Sequence, residues 1–506
     1  MAVQLVWYKK DLRVADHAPL TQACKNGPVV CVYVIEPEIL SSAEFDSSHQ
    51  VFINQCLEEL HQKLLNLNNG LLILHDNLPE AFEKLRREIP FEKIWCHEEI
   101  GNRVTYDRDL RVQSWCKKNG IAYEELPQTG VVRRLKSRDG WSEKWFSRMK
   151  AARIATPDIV APHSFAEEHL AAHKLSSFGK IFGLDQLGLP PSTKPLAQIG
   201  GEAIAQTELA SFIFERSKQY RFGISSPISS RLSCSRLSPY LAFGAISLRT
   251  VYQASVMRRV QLAKKPDNGS WQKSLSAFEE RLIWHCHFMQ KLEDEPEVEF
   301  QNISKIYDGL REDAFRQDYF DAWCEGLTGY PMIDACMRAL KESGWINFRM
   351  RAMLVSFASY NLWLHWQPTA VYLARHFLDF EPGIHYPQFQ MQSGTTGIND
   401  IRVYSATKQG RDQDPDGSFI RHYVPELANV PIEYLHQPEL MPPLFQQFHG
   451  CIIGKDYPAP IVDEQNLKMA KERIFDLKKT EAALIDAQRV QLKHGSRKKP
   501  QGKEWR

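Results

Sequence analysis

Short apolar runs separated by stretches of helical periodicity fill the first 125 residues, and this alternation constrains the fold more than any other feature of the chain. The runs lie at 3–8, 29–35, 71–74, 94–97 and 121–124. Their residues are apolar in succession, without alternation, as in strands buried on both faces of a parallel sheet. Between them, 48–67, 78–89 and 103–118 read as helices, and Phe52, Cys56, Leu60 and Leu64 recur at the spacing of one helical face. Strands alternating with helices predict βαβ units and a doubly wound α/β sheet. Ligands of such sheets bind beyond the carboxyl ends of the strands.

The alternation then stops. Residues 126–200 carry weak periodicity and many breakers, among them Pro157, Pro162, Pro190, Pro191 and Pro195, and read as a connector with some helix. From 201 strand signals nearly vanish, and 274–292 and 330–366 read as helices. The expected organisation is an N-terminal α/β domain at 1–130, a linker at 131–200, an all-α domain at 201–485 and a basic tail at 486–506. From Arg489 onward the tail holds seven basic residues and one acid, Glu504, and reads as solvated, with anion contact as the alternative. No internal repeat is evident.

Composition narrows the class. Lysine and arginine number 63 against 61 acids, a net charge of +2 that argues against a tail-driven, non-specific nucleic-acid binder but permits a local basic face. Ten cysteines include no C-x-x-C pair, and Cys31, Cys96 and Cys336 sit in apolar runs, so buried free thiols are expected and no metal or iron–sulfur site. The opening MAVQLVWYKK is broken at Lys9 and lacks a small-residue cleavage site. No stretch approaches the roughly 20 apolar residues of a membrane span. A cytoplasmic monomer without a membrane partner is the expectation.

Several stretches carry candidate chemistry. ISSRLS at 228–233, with Tyr220 upstream, combines hydroxyls and a cation at a helix start; it can cradle phosphate or simply cap the helix. SPYLAFGAIS at 238–247 places Gly244 in an apolar run, for close backbone approach or for helix packing. In GWINFRMRAMLVSF at 344–357, Arg349 and Arg351 border a core and need counter-anions, from acids or from a ligand. FLDFEPGIHYPQFQMQSGTTGINDIR at 377–402 supplies Asp379 and Glu381, suited to acid–base work, to anchoring a polar ring system, or to pairing with those arginines. Finally, 133–153 interleaves eight basic residues with Trp141, Trp145 and Phe146, which suits phosphate contact with stacking or a solvated helix with one apolar face.

Singly these stretches are ambiguous; their order is not. WYKKDLRVADHAPL (7–20), ISSRLS, LSPYLAFGAIS, AWCEGLTGYPMIDACMRAL (322–340), GWINFRMR, DFEPG and FIRHYVPEL (419–427) together resemble the photolyase/cryptochrome family over about residues 3–490. The resemblance implies an antenna-type α/β domain, a linker and a helical FAD domain. It implies that Tyr220, Ser229, Ser230, Arg231, Leu232 and Ser233 hold the FAD phosphates and that Trp284 lines the flavin and lesion cavity. Arg351 and Asp379 fall on an arginine–aspartate pair beside the isoalloxazine, Glu381 where the family usually has a second Asp, and His385 on the residue facing flavin N5. It further implies a second, antenna chromophore of folate or deazaflavin type. The implied partner is UV-damaged DNA, in which a flipped-out pyrimidine dimer is split by an electron from excited reduced FAD.

The chain departs from the family pattern at informative places. Arg281 stands where repair enzymes usually carry Glu, Phe348 where they commonly have Asn, and His385 where Asn is common. A histidine there would donate to N5 or titrate near neutral pH. Of the family's three relay tryptophans, Trp366 matches the middle one, Phe389 replaces the one nearest flavin, and the outer one falls near Glu312 and Asp313; Tyr360, Trp363 and Tyr386 offer another route. The leading expectation is a DNA photolyase. A cryptochrome-like photoreceptor is the alternative, and a non-photochemical nucleic-acid binder the third reading.

Overall fold

The computed structural model describes residues 2–158, 160, 179–264 and 268–497. Five parallel strands, β1 (Val3–Tyr8), β2 (Val29–Ile35), β3 (Leu71–His75), β4 (Phe91–His97) and β5 (Ala122–Leu126), form one sheet in the order β3-β2-β1-β4-β5. The order reverses at β1, so the crevice beside its carboxyl end is the topological switch point. Crossover helices α1 (Ala18–Asn26), α2 (Ser47–Asn66), α3 (Glu80–Glu88) and α4 (Arg103–Lys118) cover both faces. Phe52, Cys56, Leu60 and Leu64 of α2 are all buried, as the periodicity predicts.

The stretch WYKKDLRVADHAPL clamps this domain to the rest of the molecule. Asp11 accepts hydrogen bonds from the ring nitrogens of His17 (2.9 Å) and His97 (2.7 Å). The buried Arg13 donates to the Gly244 carbonyl at 2.8 Å, and the Glu202 carboxylate accepts the Val14 and Ala15 amides. Gly244 has φ +65, and a Cβ there would lie 2.0 Å from the Lys10 carbonyl oxygen, so only glycine permits this approach. One core accordingly runs from Val6, Tyr8 and Cys31 through Phe52 to Phe243, Tyr252 and Phe278 of the helical part.

The helical part is built on α5 (Gly269–Asp294), α6 (Pro331–Ser343), α7 (Phe348–Ser356), α8 (Trp366–His376) and α9 (Pro382–Ser393). The stretch 330–366 is therefore not one helix. Gly344, at φ +68, ends α6, and a π-helical turn over Phe357–Asn361 follows α7. Both interruptions insert irregular backbone that periodicity alone passes over. The tail boundary at 486 also fails: α10 (Glu481–His494) continues through it, burying Val490 and His494, with the His494 ring on the Glu295 carboxylate. Pro162 and the tail beyond 497 lie outside the described residues. No helix among the described residues is long and apolar enough to cross a membrane.

Candidate functional site

The site grows from an ion pair between the half-buried Arg351 of α7 and the buried Asp379 in the turn before α9. Arg351 donates from Nη1 and Nη2 to the two oxygens of Asp379 at 2.9 and 2.8 Å, and from Nε to the Ile346 carbonyl at 2.8 Å. Its guanidinium lies 4.1 Å from the Phe377 ring centroid. Asp379 is buried, which alone would raise its pKa, but Arg351 outweighs this and holds the carboxyl below its ordinary value. The Ser238 hydroxyl is a further hydrogen-bond partner of Asp379. A bidentate pair with these supports fixes a cation in one orientation.

The chain returns to this pair through residues 235–238, which run into the SPYLAFGAIS stretch. The tetrapeptide Ser-Arg-Leu-Ser occurs twice, at 230–233 and at 235–238, so the expectation of no internal repeat is corrected. The second copy faces the pair. Arg236 adopts φ +60 and lies 3.8 Å over the Trp345 ring centroid, and among the described residues no carboxylate is within ion-pair distance of it. Burial, with Arg231 nearby, pushes its pKa down to about 10. The first copy and the preceding Ser229, assigned above to phosphate, have their hydroxyls engaged locally: Ser229 donates to Gly223, Ser230 to Pro227 and Ser233 to Ser229, all at main-chain oxygens. Arg231 donates to the Tyr423 hydroxyl at 2.6 Å, and Leu232 is 74% exposed.

The other expected residues distribute unevenly. Tyr220 is buried edge-on to Phe212 and Phe278, with Arg281 on its hydroxyl. His385 packs 4.5 Å from Phe389, and its Nε2–H donates to the Ala370 carbonyl at 2.8 Å. That bond leaves Nδ1 as an acceptor. Burial pushes the His385 pKa down to about 4, so the expectation of titration near neutral pH is corrected: the ring is neutral. Glu381 turns away from Arg351 towards Lys10, 3.8 Å distant, and lines a cavity of about 470 Å³ with Glu98, Glu99 and His285. Burial raises its pKa to about 7 despite Lys10. Trp284 contacts His287 and Phe288 and opens onto a different cavity, of about 700 Å³, with Arg138 and Trp141. Trp366 is buried, donates to Asn302 at 2.8 Å and meets Tyr386 at 6.3 Å.

The basic aromatic stretch at 133–153 divides between packing and solvent: Arg134, Lys136, Lys144, Lys150 and Arg153 are exposed. Trp141 and Trp145 are buried, Arg133 pairs with Glu125, and Arg148 donates to the Thr129 and Val131 carbonyls.

Polar groups around the pair fit a dinucleotide. Arg236, half-buried and with no carboxylate within ion-pair distance among the described residues, is able to take an anion. Asn347 donates twice, to the Ile224 and Ser225 carbonyls, while its Oδ1 is buried without a partner and calls for a donor such as a ribose hydroxyl or an adenine amine. A further cavity, of about 890 Å³, lies beyond the carboxyl ends of β1 and β2, at the switch point, lined by Tyr8, Lys10, Glu36, His49, Arg108 and Phe380 among others. Arg108 there is held by Glu36, Glu99 and Asp109.

Comparison with known proteins agrees with this architecture. Residues 4–156 match the family model described as DNA photolyase, and residues 278–476 that of the FAD binding domain of DNA photolyase. A cryptochrome DASH of Gloeobacter violaceus is 27% identical over 499 residues, covering 93% of this chain and 95% of that protein. A deoxyribodipyrimidine photo-lyase of Alkalihalophilus pseudofirmus is 26% identical over 486 residues, covering 91% and 95%. The crystal structure of a bacterial class III photolyase from Agrobacterium tumefaciens superposes with a TM-score of 0.81 at 24% identity, covering 95% of this chain and 98% of that one.

Proposed function

This chain belongs to the photolyase/cryptochrome family, with an FAD-binding helical domain, and on that premise we propose that it is a light-dependent DNA photolyase acting on UV-induced pyrimidine dimers. The observation that carries the reading is the Arg351–Asp379 pair, faced by Ser238 and by Arg236, which has no ion-pair partner among the described residues.

FAD, when bound, supplies light-driven one-electron transfer. The chain's own residues prepare the surroundings. Arg351 presents a fixed positive charge, which Asp379 and the Ile346 carbonyl keep from rotating. Arg236 offers its guanidinium to the pyrophosphate. His385, neutral at physiological pH, offers only a lone pair at Nδ1 and so complements a partner that donates a proton rather than one that accepts. Phe348, 53% exposed beside these groups, gives the entrance an apolar lip. The cavity at the switch point, with aromatic walls and internally paired charges, suits a second chromophore without a phosphate of its own.

The test is a repair assay on dimer-containing oligonucleotide with FAD-loaded, reduced protein under blue light. Light-dependent loss of dimers on either major lesion type is the expected result. Full FAD occupancy with no dimer loss on either removes the repair reading. One observation favours the alternative, a photoreceptor: Arg281, where repair enzymes usually have Glu, is engaged by Tyr220. That reading expects a light-induced change in partner or oligomeric state in protein that repairs nothing.

A further inference from the structure

Away from the Arg351–Asp379 pair, a buried cluster holds a guanidinium with no ion-pair partner among the described residues. Arg311 is 2% exposed, and among the described residues no carboxylate lies within ion-pair distance of its guanidinium. The neighbouring Glu312 carboxylate accepts the Arg311 backbone amide instead, at 2.8 Å. Nη2 donates to the Ser393 carbonyl at 3.1 Å. The guanidinium carbon lies 4.6 Å from the Trp363 ring centroid and 5.6 Å from that of Tyr360. A second guanidinium, that of the exposed Arg473, lies 5.3 Å from the same indole.

Three buried polar atoms here lack any partner: Arg311 Nε, the Tyr360 hydroxyl and Trp363 Nε1. Each is able to donate. The Tyr360 oxygen could also accept from a bridging water, but a water leaves the guanidinium charge in place, whereas an anion accepts from all three donors and neutralises it. The two ring faces offset only part of the cost of burying a cation, and an unpaired buried ion is otherwise strongly disfavoured.

We propose that Arg311, Tyr360 and Trp363 form a binding site for a small monovalent inorganic anion of the chloride class. The backbone is shaped for it. The π-helical turn Phe357–Asn361 carries Tyr360, and such turns recur at functional sites. Gly394, at φ +80, lets the Tyr360 hydroxyl approach, since a Cβ there would lie 2.5 Å from it. Tyr307, Ala470 and Ile474 pack into the same buried cluster.

The experiment uses the full-length, FAD-loaded protein. Crystals grown in bromide are expected to show an anomalous peak within hydrogen-bond distance of Arg311. In solution, replacing gluconate by chloride at constant ionic strength should raise Tm by a few degrees in a saturable way. Arg311→Met should abolish that rise, and Arg473→Met should keep it. A bromide map with no peak at Arg311, or an equal chloride effect in Arg311→Met, overturns the proposal. Should Arg311→Met not fold, the anomalous map of the unaltered protein decides alone.

Discussion

Two copies of Ser-Arg-Leu-Ser, separated by Cys234, have opposite fates. At 230–233 the leucine is 74% exposed; at 235–238 its counterpart Leu237 is 1% exposed. The first copy is a single helical turn closed on itself, its arginine reaching out to Tyr423. The second is pinned by Leu237 into the core shared with the sheet domain. That anchoring forces Arg236 to φ +60, where a non-glycine residue carries about 1–3 kcal/mol of strain. Such strain persists only where surrounding packing over-determines it, and it clusters at ligand sites. Identical residues thus make a surface turn in one place and a ligand wall in the other, and burial of one leucine separates them.

The strongest way to break this contrast is to remove what the second copy faces. Arg351→Ala leaves Asp379 buried and unpaired, so a loss of about 3–5 kcal/mol is expected in denaturant unfolding, with loss of the yellow FAD absorbance. Arg236→Gln should weaken FAD retention about tenfold or more, equivalent to roughly 1.4 kcal/mol, because a charge-assisted contact is lost. Arg231→Gln, in the first copy, should leave FAD retention unchanged. Equal losses in the two variants would dissolve the distinction.

The pH dependence sharpens it further. Asp379 has its folded pKa below the ordinary carboxyl value of 3.8, so its pairing stabilises the fold above that value and the stabilisation is lost as pH falls below it. Acid titration of stability should show this component in the parent and not in Arg351→Met. The smallest effect is expected from the serines. Ser238→Ala should cost about 1 kcal/mol and lower FAD retention modestly, whereas Ser233→Ala should alter stability alone.

Much of the fold is legible in the sequence. The first two strands, 3–8 and 29–35, and the helix at 103–118 are read to the residue, because unbroken apolar runs and helical periodicity report burial directly. Helix interruption is less legible: Gly344 and the π-helical turn at 357–361 fall inside an apolar stretch that keeps its helical rhythm across both. Of the site, the pairing of Arg351 with Asp379 follows from a charge balance that the sequence poses without solving, since Arg349 competes for the same acid. In the structure Arg349 turns to Gln409 instead. The choice between the two Ser-Arg-Leu-Ser copies lies beyond local sequence, although the repeat itself is visible on inspection.

By itself the sequence determined a doubly wound sheet followed by helices, a family resemblance, and the residue types from which a site is drawn. Short-range pattern encodes which faces are buried, and burial sets the secondary structure. Only the tertiary structure decided that the serines of 229–233 are engaged at main-chain oxygens, that Ser238 reaches Asp379, that His385 is neutral, that Glu381 serves Lys10 rather than Arg351, and that among the described residues no carboxylate pairs with the Arg311 guanidinium. Each of these depends on how far apart charges and carbonyls lie after segments distant along the chain have packed, and electrostatic and hydrogen-bond energies follow those distances rather than the order of the residues.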